Sequence, residues 1–242
     1  MALHFLVESS TDARVGDVVS LIGAEAKHAA VVRRLRVGEA VTVGDGAGVW
    51  LAGVAEEVSP SLVDVRIEER IEHPAPSPRI VLVQALAKGD RDELAVQAAC
   101  ELGVDEVVPW QAGRSVSRWE GPKAAKGRER WATIVREAAK QAHRAWVPEV
   151  AAPVTTKQLA ARASTDRVLL LDPTASVRLS AIRPDGRDLV LVVGPEGGIS
   201  DEELALLTDA GAERVLLGDT VLRTSTAGPA AIAVLSVALG RW

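Results

Sequence analysis

The chain has 242 residues, nearly half of them apolar and a quarter charged, which bounds it to one large or two small globular domains and excludes a low-complexity or disordered chain. Its single cysteine, Cys100, excludes a disulfide framework and a cysteine-rich metal site and fits a reducing cytoplasm. The net charge of −5 excludes a uniformly basic surface, and neither Met1–Ser10 nor any apolar tract has the character of a signal peptide or membrane span, so secretion and membrane insertion are not expected. From the N-terminus, residues 3–7, 17–22, 40–43, 49–58 and 62–71 are short alternating or β-branched runs separated by turns such as Gly44-Asp45-Gly46. This spacing predicts a small β-barrel. A helix predicted over Ala24–Leu35 interrupts the strands and carries His28 with Lys27, Arg33 and Arg34 of a basic cluster that ends just beyond it at Arg36. Three prolines within His73–Pro78 cannot continue a strand ladder, so they predict a linker at 74–78 between a domain at 1–73 and another at 79–242.

Beyond the linker, strands alternate with helices. Strand 80–87, a helix over 92–102, strand 106–109 and a long helix around 123–145 are followed by strands 168–171 and 188–194, helix 201–210, strand 214–217 and a terminal helix. Alternation of this kind predicts an α/β domain with a parallel sheet. The overall charge hides a local excess: from Arg114 to Arg144 there are nine Lys or Arg residues against three acids. Such a patch neutralises phosphates even on an acidic protein, although a solvated helix face laced with ion pairs has the same composition.

Two glycine-marked loops in the last quarter carry the most chemistry. Val193-Gly194-Pro195-Glu196-Gly197-Gly198 follows one apolar strand, and Ser200-Asp201-Glu202-Glu203 is a capping box that starts the next helix. Leu217-Gly218-Asp219-Thr220-Val221-Leu222-Arg223-Thr224 follows the second strand, and Thr224, Ser225 or Thr226 is expected to cap the apolar terminal helix. Strand-to-helix loops of open α/β sheets lie where ligands bind. Neither G-x-G-x-x-G nor G-x-x-x-x-G-K-[ST] stands at a strand end, which weighs against a plain dinucleotide or ATP site.

GPEGG followed by LG-x-x-VLR-T resembles the signature of SPOUT RNA methyltransferases, and within them the bacterial RsmE family, which methylates N3 of a uridine in 16S ribosomal RNA. Lys88-Gly89-Asp90-Arg91, Glu101-Leu102-Gly103-Val104-Asp105, Arg114-Ser115-Val116 and Glu137-Ala138-Ala139-Lys140-Gln141 followed by Arg144 are similar to other landmarks of that family, in its order. The resemblance implies a PUA-like RNA-binding β-barrel at the N-terminus, a SPOUT α/β domain whose C-terminal segment threads a deep trefoil knot, and a homodimer paired through knot helices. The terminal helix, apolar almost all round, would itself call for cover on more than one side.

The resemblance implies S-adenosyl-L-methionine as cofactor, 16S rRNA in the small ribosomal subunit as partner, and no metal. It assigns Leu171, Gly194, Pro195, Glu196, Gly198, Leu217, Gly218 and Leu222 to the cofactor site. Core packing is the plainer reading of the three leucines. Arg223 is the candidate for stabilising the anion that forms when uracil N3 loses its proton; a guanidinium does not act as the base. Arg33, Arg34, Lys88, Arg91, Arg114 and Arg144 are candidate RNA contacts, and no group stands out as proton acceptor. Two departures from the family are Ser225, where a Glu is common, and His4-Phe5 in place of an Arg-aromatic pair; His4 would meet phosphate only when charged. Two other readings keep the fold: a methyltransferase acting on tRNA or on a ribose 2′-oxygen, and a non-catalytic RNA-binding assembly factor.

Overall fold

The computed structural model describes residues 2–7 and 12–242; part of the Met1–Ser10 stretch considered above lies outside them. The chain divides into two compact units, one of Met1–Ala75 with Ala139–Val147 and one of Pro76–Ala138 with Pro148–Trp242.

The first unit is built on strands β1 (Leu3–Leu6), β2 (Val18–Ile22), β3 (Ala40–Gly44), β4 (Val49–Val58) and β5 (Leu62–Glu72), in the order β1-β3-β4-β5-β2. β1 pairs with β3 in parallel and the other pairs are antiparallel. Its edges β1 and β2 do not pair with each other, so the barrel expected from the strand spacing is a curled, open sheet. Inward residues such as Phe5, Val41, Val43, Leu51, Val63 and Val65 alternate with outward ones and form the core. Gly53 permits a tight approach, since a Cβ there would lie 2.0 Å from the Arg66 carbonyl oxygen. The helix expected over 24–35 is shorter: α1 (Gly23–Lys27) runs into a wider π-type turn at His28–Val32, and the chain leaves it through Arg34 at φ 55°.

His4 is not placed to meet phosphate. It is 6% exposed and stacks on Trp50 with ring centroids 4.2 Å apart. Its Nδ1 lies 3.0 Å from the Thr42 hydroxyl, which donates to the Leu3 carbonyl; the imidazole therefore donates through Nδ1 and keeps Nε2 unprotonated. Burial, with the charges of His143 and Lys140 adding to it, lowers its pKa from 6.5 to about 4. Because the folded form binds the proton more weakly than the unfolded chain, this contribution to stability is complete above pH 6.5 and is lost as pH falls through about 4. The loss is on the order of 3 kcal/mol. Urea midpoints between pH 7.5 and 4 should therefore fall less steeply for His4→Phe than for the parent chain, and parallel curves would contradict this account.

The second unit holds seven parallel strands: β6 (Ile80–Ala85), β7 (Glu106–Trp110), β8 (Glu149–Val150), β9 (Arg167–Leu171), β10 (Val177–Arg178), β11 (Leu189–Val193) and β12 (Glu213–Leu216). Their order is β10-β12-β9-β11-β6-β7-β8, with β11 laid between β9 and β6, and β12 between β9 and β10. The helices are α2 (Arg91–Glu101), α3 (Pro122–Gln141), α4 (Thr156–Arg162), α5 (Asp201–Asp209) and α6 (Thr224–Ala238). Helices on both faces explain why β6 and β11 are buried throughout and apolar but for Gln84. Val81, Val83 and Ala85 pack in a core with Leu159 of α4 and Leu207 of α5, whereas Leu82 meets α6. Gly228 allows that approach: a Cβ there would come within 2.9 Å of the Leu82 side chain.

The long helix expected to reach residue 145 ends at Gln141, because His143 takes the left-handed conformation at φ 54° and the Arg144 amide donates back to Ala139. β8, α4 and β10, absent from the predicted alternation, are short additions at one edge, one face and the other edge of the sheet. Among the described residues, no helix is long and apolar enough to cross a membrane.

Candidate active site

The loops after β9, β11 and β12 leave the carboxyl ends of adjacent strands and enclose a cavity of about 540 Å³. A cleft at this end of a parallel sheet is where an α/β fold binds small ligands. Leu171, Gly194, Pro195, Glu196, Gly198, Leu217, Gly218, Leu222 and Arg223 all line it, so two loops separated in sequence meet around one space. The three leucines are partly exposed toward it rather than sealed in the core.

Each loop has its own fastening. In the GPEGG loop, the Gly198 amide donates to the Pro195 carbonyl at 2.9 Å, closing a tight turn that leaves Gly198 at φ 73°, a conformation suited to glycine. Glu196 accepts from the Lys88 amide at 3.1 Å and from the Arg91 guanidinium at 2.9 Å. Partial burial acts to raise its pKa, but the backbone hydrogen bonds and Arg91 outweigh this and hold the carboxyl below its ordinary value. Ser200 and Glu203 form both halves of the expected capping box.

Thr224 does something other than cap. The cap position of α6 is Arg223, with no side-chain cap, and Thr224 is the first helical residue. Its hydroxyl donates to the Gly194 carbonyl at 2.9 Å and accepts from Gln84 Nε2 at 2.9 Å, tying the two glycine loops to the end of β6. The hydroxyl is turned inward because Gln84 is fully buried and needs an acceptor there. Gln84 was overlooked in the sequence although an amide inside an otherwise apolar strand was a visible signal.

The loop after β9 was also missed. Asp172, Pro173 and Thr174 form a wall of the cavity, and an Asp-Pro pair at the end of an apolar run announces such a turn. The Asp172 carboxylate accepts from the Thr174 amide and hydroxyl, both at 2.8 Å, and from Arg214 Nε at 2.6 Å. This fixes the loop to β12.

The arginines separate by what they already hold. Arg223 is exposed at the cavity mouth, and among the described residues its guanidinium forms no hydrogen bond or ion pair. Arg91 is engaged with Glu196, and Arg114 donates to the Gly197 carbonyl at 3.1 Å while remaining exposed. In the other unit, Arg33 and Arg34 are exposed and Arg144 is partly exposed. The basic run from 114 to 144 is partly spent on structure: Lys140 is buried against Glu25 at 2.9 Å, Arg130 pairs with Glu93, and Arg128 donates to the Val150 carbonyl. His28 packs edge-on against Phe5. Among the described residues, no group of three or more His, Cys, Asp or Glu side chains could hold a metal ion.

The cavity fits an adenosine-bearing cofactor on its own terms. Leu171, Ile199, Leu204 and Leu217 offer apolar walls, Glu196 and Asp172 stand at the polar edge, and the Gly218 Cβ position is open, with no atom within 4 Å. An apolar slot edged by main-chain groups and a free guanidinium, at the carboxyl ends of a parallel sheet, defines a ligand-binding domain of the α/β class. The RNA methyltransferase domain family matches residues 73–236, and the RNA methyltransferase PUA domain family matches residues 21–68. The ribosomal RNA small subunit methyltransferase E of Mycobacterium bovis is 42% identical, over all of this chain and 94% of that protein. That of Bacillus subtilis is 31% identical over 98% of this chain and 96% of its own length. The crystal structure of the ribosomal RNA small subunit methyltransferase E of Neisseria gonorrhoeae bound to S-adenosyl methionine superposes with a TM-score of 0.87 at 29% identity, covering 98% of each chain. The protein belongs to the ribosomal RNA small subunit methyltransferase E family.

Proposed function

We propose that this protein transfers the methyl group of S-adenosylmethionine to N3 of a uridine in 16S ribosomal RNA of the small subunit, acting in the cytoplasm as a homodimer. The observation that carries the reading is the shared cavity at the ends of β9, β11 and β12, with Arg223 free at its mouth, in a chain that matches family members along its whole length. The cofactor, when bound, supplies an electrophilic methyl carbon. Gly194, Pro195, Glu196, Gly198, Leu217, Gly218, Leu171 and Leu222 would hold it, the leucines by offering apolar surface and the glycines by letting the backbone approach closely. Arg223 faces the uracil. When N3 gives up its proton, negative charge spreads to the neighbouring carbonyl oxygens, and a guanidinium beside them lowers the cost of that anion. Arg33, Arg34, Arg114 and Arg144 meet phosphate, as do Lys88 and Arg91 at the rim.

Passage of the C-terminal segment through a trefoil knot is part of the same reading. It is supported by β11 and β12 each being laid between strands, and by Thr224 closing onto Gly194. The dimer is supported by α6, where Thr226, Ala230, Ala233, Val234 and Val237 recur at helical spacing on a face that is only partly covered, Val237 being 63% exposed. Light scattering at micromolar concentration should return the mass of two chains; a monomer there would remove the dimer from the proposal.

Nucleoside mass mapping of 16S rRNA from cells with and without the gene tests the function. One N3-methyluridine should disappear with the gene and return with the purified protein and S-adenosylmethionine. Loss of a tRNA or ribose methyl group instead would move the substrate, and absence of cofactor binding by calorimetry would favour a non-catalytic RNA-binding role.

A further inference from the structure

Glu203 in the first turn of α5 is 9% exposed, yet its partners exceed what a helix cap requires. Oε2 accepts from the Ser200 amide at 3.3 Å, which is the capping interaction. Oε1 accepts from the Gly113 amide at 2.8 Å and from the Thr156 hydroxyl at 2.8 Å, bringing in two segments remote in sequence. The Thr156 hydroxyl accepts in turn from the Trp110 indole at 3.2 Å. The carboxylate lies flat against the chain at Gly113, where a Cβ would stand 3.4 Å from Oε2.

One residue on, Arg114 reaches across to the GPEGG loop. Its Nη1 donates to the Gly197 carbonyl at 3.1 Å, and a Cβ on Gly197 would come within 3.3 Å of Arg114 Cβ. Two ties therefore join the 111–118 loop to the segment that follows β11: a solvent-exposed one at Arg114 and a partly buried, charge-assisted one at Gly113. Hydrogen bonds to an ionised acceptor away from water are the stronger kind. Gly113 is thus the anchor and Arg114 the part it carries.

We infer that Glu203 is a positioning residue, which by holding the Gly113 amide fixes where Arg114 presents its guanidinium to RNA beside the cofactor loop. This rests on the RNA contact proposed for Arg114. The roles separate in a double-mutant cycle, because a residue that acts through Arg114 has nothing left to do once Arg114 is gone.

The measurement is the Kd for small ribosomal subunits from a strain lacking the gene, at saturating S-adenosylmethionine, for the parent, Arg114→Ala, Glu203→Ala and the double variant. Each single change should weaken binding about tenfold, the scale of one lost arginine contact to nucleic acid, and the double variant should bind no more weakly than Arg114→Ala. Independent losses that add in the double variant would overturn the inference, as would parental affinity in a natively folded Glu203→Ala beside a weakened Arg114→Ala. Parental affinity in Arg114→Ala would instead remove that residue's RNA role, and the inference with it. Should Glu203→Ala fail to fold, Glu203→Gln keeps the volume but turns a donor amide toward either Gly113 or Ser200; a smaller loss, again absent without Arg114, is expected, and an equal loss in both backgrounds would refute the link.

Discussion

Arg223→Ala is expected to lower the single-turnover methyl-transfer rate on the order of a hundredfold or more, with S-adenosylmethionine affinity changed little. That is the scale seen when one preorganised electrostatic donor is removed from a developing oxyanion. The geometry supports so large an effect, because Arg223 occupies the cap position of α6 in an extended conformation, and its own carbonyl accepts from the Thr226 and Ala227 amides at 2.8 and 2.9 Å. The backbone is held by the helix while the side chain is left free at the cavity mouth. Arg91, by contrast, is already paired with Glu196. Lysine at 223 should restore only part of the rate, since it keeps the charge but not the planar pair of donors. A parental rate in Arg223→Ala with both substrates saturating would show that Arg223 docks RNA or supports the loop without touching the chemical step.

What could be read from the sequence follows from the range of the interactions involved. The capping box at Ser200 and Glu203 is a contact over three positions, and the tight turn at Gly198 is a contact over three more; both leave local residue preferences. The apolar runs at β6 and β11 announce strands buried on both faces, and their parallel pairing follows from the helices between them. The tie from Gln84 to Thr224 spans 140 positions and leaves no local pattern. Thr224 therefore looked like an ordinary cap, since a hydroxyl ahead of an apolar helix is the usual cap signal, and only the fold shows that a buried amide claims it. His4 is similar: nothing next to it in sequence reveals Trp50 stacked on its ring or Thr42 beneath it. The basic run from 114 to 144 left two readings open, phosphate contact or an ion-paired face, because counting charges does not show that Lys140 is buried on Glu25 or that Arg130 is paired with Glu93.

Gly218→Val should abolish measurable S-adenosylmethionine binding, a fall of at least about a hundredfold, while leaving the fold intact. The obvious alternative, Gly198→Val, is a poorer probe. Gly198 sits at φ 73°, where a β-branched residue is strained by about 1–3 kcal/mol whatever space surrounds it, so a loss of binding there would mix a distorted turn with a filled site. Gly218 has no such conformation, and a Cβ on it would meet no atom within 4 Å. A side chain added at this cavity-lining position therefore meets no protein atom at its Cβ, so the expected clash is with what enters the cavity and not with the fold. Circular dichroism and the thermal midpoint should match the parent, and calorimetry should show no heat of cofactor binding. Gly218→Ala, which adds one carbon to the same space, should weaken binding by a smaller factor, giving a graded response that unfolding would not produce. If a natively folded Gly218→Val binds S-adenosylmethionine as tightly as the parent, the cavity at the ends of β9, β11 and β12 is not where the cofactor lies, and the role given to Arg223 at its mouth loses its ground as well.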